Sequence, residues 1–150
     1  YFGTFGYELD LNKLSYEEIS EVKQQIAFMK EYRELIQFGT FYRLKSPFEG
    51  NETAWMTVSE DKKTALVFWY RERNVVNADF TRVRLQGLDP DFIYRNEYNG
   101  TENYGDELMN LGLLTTDCTA GEPTSEDAPC TDYESRIYVL TTVARIPSPL

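Results

Sequence analysis

Two different periods run along this chain, and they divide it near residue 39. Ile19, Val22, Ile26, Met29 and Ile36 recur at three- and four-residue spacing, and Phe28, Tyr32 and Leu35 widen the stripe. Ser15-Tyr16-Glu17-Glu18 has the form of a capping box, with a serine at the N-cap and a glutamate at the third helical position. Leu14 and Ile19 occupy the positions of a hydrophobic staple, Glu17 and Glu18 suit the positive end of the dipole, and Gly39 marks a stop. The spacing predicts a helix over 16–37, roughly 33 Å long at 1.5 Å per residue. Its wide apolar face calls for a large surface to lie against.

Beyond Gly39 the period falls to two. Strands are expected at 40–44, 54–59, 64–72, 80–86, 92–98 and 135–143, separated by turn signals such as Ser46-Pro47, Glu60 to Lys63, Gly87 to Pro90 and Asn99-Gly100. Both faces of 64–72 are apolar, which predicts a central, buried strand. In 80–86, Val83 and Leu85 alternate with Arg82 and Arg84, which predicts one wet face. Short strands at this spacing with no helix between them describe an antiparallel β-sandwich. Residues 1–10, aromatic and punctuated by Gly3 and Gly6, read as a strand-to-loop edge whose partner strands lie elsewhere. With Tyr1 in the first position, the expectation is a piece of something longer.

Composition narrows the chemistry. Histidine is absent, so Ser-His-Asp and Cys-His catalysis and histidine-based metal sites have no place in this chain. A formal charge of −10 argues against nucleic acid or an anionic membrane as partner, and no apolar run is long enough to span a bilayer. The acids lie in settings that do not tune them: Glu8 and Asp10 in the edge, Glu17, Glu18 and Glu21 on the helix, Glu60-Asp61 and Asp89-Pro90-Asp91 in turns, Asp117 to Asp132 in a polar loop. No catalytic residue is assigned. No glycine loop for phosphate is present. Arg71, Arg73, Arg82 and Arg84 are expected to pair with the acid excess on the wet side of the sheet.

Three further features stay open at this level. Cys118 and Cys130 both fall in the Thr-, Glu-, Asp- and Pro-rich stretch 115–132, where a bridge would tether the ends of a loop and two reduced surface thiols are the alternative. Asn51-Glu52-Thr53 and Asn99-Gly100-Thr101 are glycosylation sequons, which together with the cysteines favour an extracellular origin, although Asn99-Gly100 also suits a hairpin turn. Trp55, Trp69, Tyr70, Tyr94, Tyr98 and Tyr104 offer flat faces for sugar rings. Core filling is the expectation for Trp55 and Trp69, and exposure for Tyr98 and Tyr104.

Longer motifs carry a resemblance. Phe5-Gly6-Tyr7-Glu8-Leu9-Asp10-Leu11, Arg33-Glu34-Leu35-Ile36-Gln37-Phe38-Gly39, Ser46-Pro47-Phe48-Glu49-Gly50-Asn51, Ala54-Trp55-Met56 and Tyr104-Gly105-Asp106-Glu107-Leu108-Met109-Asn110 occur in order. The pattern over about 2–114, with Ser135-Arg136, resembles the C-terminal end of α-galactosidases of glycoside hydrolase family 36. The resemblance implies that 1–38 is the last strand-loop and helix of a (β/α)₈ barrel, 40–143 a C-terminal antiparallel sandwich and 144–150 a tail. Such enzymes cleave terminal α-galactosides such as melibiose and raffinose with retention, using two aspartates and no metal or organic cofactor. Those aspartates lie in Lys-x-Asp-x-Asn and Ser-Asp-Asn motifs, neither of which occurs here. The chain alone is therefore expected to be inactive, with the rest of the parent enzyme as its partner and room for homo-oligomer contacts. An independent carbohydrate-binding module is the competing reading.

Overall fold

A computed structural model describes residues 1–3, 5–74, 80–115 and 132–146. The chain divides into two compact units, Tyr1–Gly39 and Thr40–Leu150.

The first unit is built on helix α1, Tyr16–Phe38. Its start matches the capping box in both halves: Ser15 Oγ accepts from the Glu18 N–H at 3.2 Å and Glu18 Oε2 accepts from the Ser15 N–H at 2.7 Å. The Gly39 N–H closes the last turn on the Leu35 carbonyl at 2.9 Å, with the glycine itself extended at φ −66°. Glycine ends this helix without using the left-handed region. The strand expected within 1–10 is not formed among the described residues. A lone strand has no ladder to satisfy its backbone, and the aromatic rings find the helix instead. Tyr1 stacks on Phe5 at 5.1 Å and tilts against Phe28 at 5.3 Å, and the Tyr7 hydroxyl donates to Gln25 Oε1. A 3₁₀ turn, Leu11–Lys13, capped by Asp10, leads to the helix.

The second unit holds strands β1 Thr40–Lys45, β2 Glu52–Val58, β3 Thr64–Arg71, β4 Arg82–Val83, β5 Phe92–Asn96, β6 Glu102–Tyr104, β7 Leu113–Leu114 and β8 Glu134–Arg145, with helix α2 at Gly105–Asn110. Six strands form one antiparallel sheet in the order β1-β2-β3-β8-β5-β6, and β4 pairs with β7 in a separate ribbon. One face of the large sheet presents Ala54, Met56 and Val58 from β2, Ala65, Val67 and Trp69 from β3, and Tyr138 and Leu140 from β8. Val83, Leu85, Leu88, Leu108 and Leu113 complete this core from the ribbon, α2 and the connecting loop. The result is a sandwich with one full sheet and one thin, partly helical cover. Strand β3 is central and buried from Ala65 to Trp69, as its doubly apolar pattern predicts.

Several boundaries differ from expectation. The predicted strand 80–86 is regular only at Arg82–Val83, though its alternation survives, with Val83 and Leu85 buried and Arg82 and Arg84 exposed. The short pieces α2, β6 and β7 leave no signal in the sequence, because two to six residues are too few to display a period. β8 runs to Arg145, past the expected domain end at 143, because it stays in register with β5 to the Phe92↔Arg145 pair. The Ile146 N–H still reaches the Asp91 carbonyl at 2.9 Å, one residue past the end of β8.

Candidate functional site

Alternation on β2 and β3 sends Trp69 and Trp55 to opposite sides of the sheet. Trp69 is fully buried in the core, as expected. Trp55 is only half-buried and stands on the other face, between Phe68 and Tyr70 of the neighbouring strand. Phe68, Trp55 and Tyr70 form a ladder of rings, with centroids 6.1 Å and 5.0 Å apart and planes inclined by 14° and 25°. Cross-strand aromatic pairs of this kind stabilise the sheet itself. Tyr70 ends the ladder and is exposed, and partial burial raises its hydroxyl pKa above the usual 10.

At that end of the sheet lies a groove of about 440 Å³, lined by Asn51, Thr53, Trp55, Tyr70, Glu72 and Tyr133 among others. Its rim is held by backbone pairing at the mouths of β2, β3 and β8. The Glu72 N–H donates to the Asn51 carbonyl at 3.0 Å, and the Tyr133 N–H to the Glu72 carbonyl at 2.9 Å. The Asn51 side chain extends the ladder by one rung: Oδ1 accepts from the Arg73 N–H at 3.0 Å and Nδ2 donates to the Arg73 carbonyl. Tyr133 sits at φ +57°, a left-handed conformation that an aromatic side chain rarely adopts, and its ring is 81% exposed.

Beside the groove, Arg71 Nη2 donates to Glu134 Oε2 at 2.5 Å, and Arg136 donates to the other carboxylate oxygen. Both guanidinium groups also lie over the Trp69 ring, at 5.4 and 5.9 Å. Arg71 therefore finds an acid, as expected, but in a buried network and not on a wet face. Arg82 uses Nη1 to bond the Gly112 carbonyl at 3.1 Å.

The remaining candidates are scattered. Tyr94 is buried and Tyr104 half-buried, while Tyr98 is exposed and packs edge-on against Tyr138 at 5.6 Å. Asn99 lies in the β5–β6 hairpin turn, where Gly100 takes φ +73° and Asn99 Oδ1 accepts from the Thr101 N–H and hydroxyl. Asn51, the other sequon, is at the groove. Cys118 and Cys130 fall outside the described residues. Among the described residues no group of three or more acids and cysteines is placed to hold a metal ion. Asp61 has its carboxyl pulled below the usual range by the Lys63 N–H and the Ser59 hydroxyl, the reverse of what a general acid needs.

Comparison with known proteins places this domain. The family model "Glycosyl hydrolase family 36 C-terminal domain" matches residues 52–140, and the model "Melibiase" matches residues 1–39. The chain belongs to glycosyl hydrolase family 36. Alpha-galactosidase AgaA of Geobacillus stearothermophilus is 53% identical over 111 residues, 74% of this chain and 15% of the relative. Alpha-galactosidase Mel36A of Lactobacillus acidophilus is 43% identical over 112 residues, 75% of this chain and 15% of the relative. The solved α-galactosidase of Lactobacillus brevis superposes with a TM-score of 0.82 at 38% identity, covering 99% of this chain and 20% of that one. An AgaA variant in complex with raffinose gives a TM-score of 0.79 at 44% identity, over 93% of this chain and 18% of that one. This family 36 chain thus corresponds to a C-terminal portion of larger α-galactosidases and spans about a sixth of the length of the relatives it matches.

Proposed function

We propose that the chain serves as the structural C-terminal portion of a retaining α-galactosidase that removes terminal α-galactosyl residues from oligosaccharides such as melibiose and raffinose. In this reading unit 1 completes the catalytic barrel of the parent enzyme, the second unit is a structural part of that enzyme, and cleavage of the galactoside takes place only in the parent. The observation that carries the proposal is the correspondence of nearly the whole chain to 18–20% of solved α-galactosidase structures. The missing Lys-x-Asp-x-Asn and Ser-Asp-Asn motifs support the division of labour, since retention needs a carboxylate nucleophile and a carboxyl acid/base about 5 Å apart. An aryl α-galactoside tests it. The 150-residue chain is expected to release no phenol above buffer, whereas a parent containing both aspartate motifs hydrolyses the substrate. Turnover by the chain alone would overturn the proposal.

A further inference from the structure

We infer that the groove at the mouths of β2, β3 and β8 is a saccharide-binding site of this domain, taking one pyranose unit of an oligosaccharide against Tyr70. This goes beyond the activity proposed above and does not depend on it. Three observations on the groove converge. First, the ring ladder Phe68–Trp55–Tyr70 ends at an exposed ring, so a flat apolar surface is presented where a small molecule fits. Second, the groove's volume of about 440 Å³ falls in the range of small-molecule sites, about 300–1,000 Å³. Third, its polar groups suit a neutral ligand rich in hydroxyls. The Thr53 hydroxyl and Glu72 carboxylate line it, and the nearby cation Arg71 is buried and bonded to Glu134, which leaves little to draw an anion.

Tyr133 adds a second aromatic side chain to the groove's lining, held at a left-handed φ. A tyrosine at φ +57° costs about 1 kcal/mol relative to glycine, yet its ring is spent on the groove's rim and not on the core. A pyranose has one face of C–H groups to lay on an aromatic ring and a rim of hydroxyls to bond polar neighbours. The groove offers both kinds of surface.

Tryptophan emission of the 150-residue chain reads the site directly, because Trp69 is sealed in the core and Trp55 lines the groove. Titration with raffinose and with melibiose is expected to shift or quench the emission saturably, with Trp55→Phe losing the signal. Sorbitol, which has hydroxyls but no ring face, is expected to give no saturable change. Tyr70→Ala should weaken the apparent affinity about three- to tenfold, the worth of one aromatic contact. Tyr133→Gly suits the local φ and leaves the sheet untouched, so it should weaken binding without loss of fold, and it decides the matter if Tyr70→Ala does not fold. No saturable change, an equal response to sorbitol, or unchanged affinity in the folded variants would overturn the inference.

Discussion

Tyr94 shows how much one side chain can hold. Its hydroxyl donates to the Lys62 carbonyl at 2.7 Å and accepts from the Asp89 N–H at 3.0 Å, joining β5 to the β2–β3 turn and to the loop before β5. Burial pushes this phenol up to about 12, with the charges of Asp89 and Asp61 adding to the rise and the Asp89 N–H opposing it. In the unfolded chain it ionises near 10. Below pH 10 both states hold the proton and pH has no effect through this group. Between about pH 10 and 12 the unfolded state loses its proton first, so stability falls as pH rises, by up to about 1.4 kcal/mol per pH unit. Tyr94→Phe is expected to lose this alkaline limb, leaving the shallower one due to Tyr70. It should also cost about 1–3 kcal/mol at neutral pH, because the Lys62 carbonyl and Asp89 N–H lose their partner. Urea unfolding at pH 8, 10 and 11 checks both, and an unchanged slope above pH 10 would rule the assignment out. Aromatic content was plain in the sequence, but this role was not: the hydroxyl's partners stand 32 and 5 residues away, and no local pattern announces them.

At the scale of elements, long pieces declared themselves and short ones did not. Helix α1 appears where its stripe and capping box put it, because both signals act over one or two turns. Strand β3 is central because both of its faces are apolar. Helix α2 has six residues and no side-chain cap, and it exists because its surroundings require it. Gly105 at its start packs so tightly that a Cβ would lie 2.0 Å from the Asp89 carbonyl oxygen and 3.0 Å from the Tyr94 ring. Gly105→Ala must therefore move backbone that Tyr94 pins, and the expected loss is about 3 kcal/mol or more. Gly50→Ala meets open space and should change stability by no more than about 0.5 kcal/mol. Denaturant midpoints of the two variants test the contrast, and similar midpoints would refute it. The groove was half legible for the same reason. Trp55 and Tyr70 were candidate sugar platforms, yet Trp55 was expected in the core, since a strand's period says which residues share a face but not which face is covered.

Across the whole molecule, the main cluster of buried hydrophobic side chains among the described residues lies in unit 2, drawn from strands and loops between Ala54 and Leu140, while Met29 and Ile36 are buried on helix α1. A chain beginning at Thr40 is accordingly expected to keep its β-sheet circular dichroism and to melt cooperatively, because every member of that core remains. A gradual melt would show that unit 2 is not self-sufficient. The sequence by itself determined the helix and its start, the two-residue period after Gly39, the hairpin at Asn99-Gly100 and the exclusion of histidine chemistry. These follow from sterics, capping and composition, which act over a few residues. Only the tertiary structure decided that β8 inserts between β3 and β5, which face of the sheet carries the core, and that Trp55, Tyr70 and Tyr133 meet at one groove. Strand order and the covered face are chosen by burial between segments as far apart as β3 and β8, and the free energy of that burial belongs to the pair and to neither strand alone.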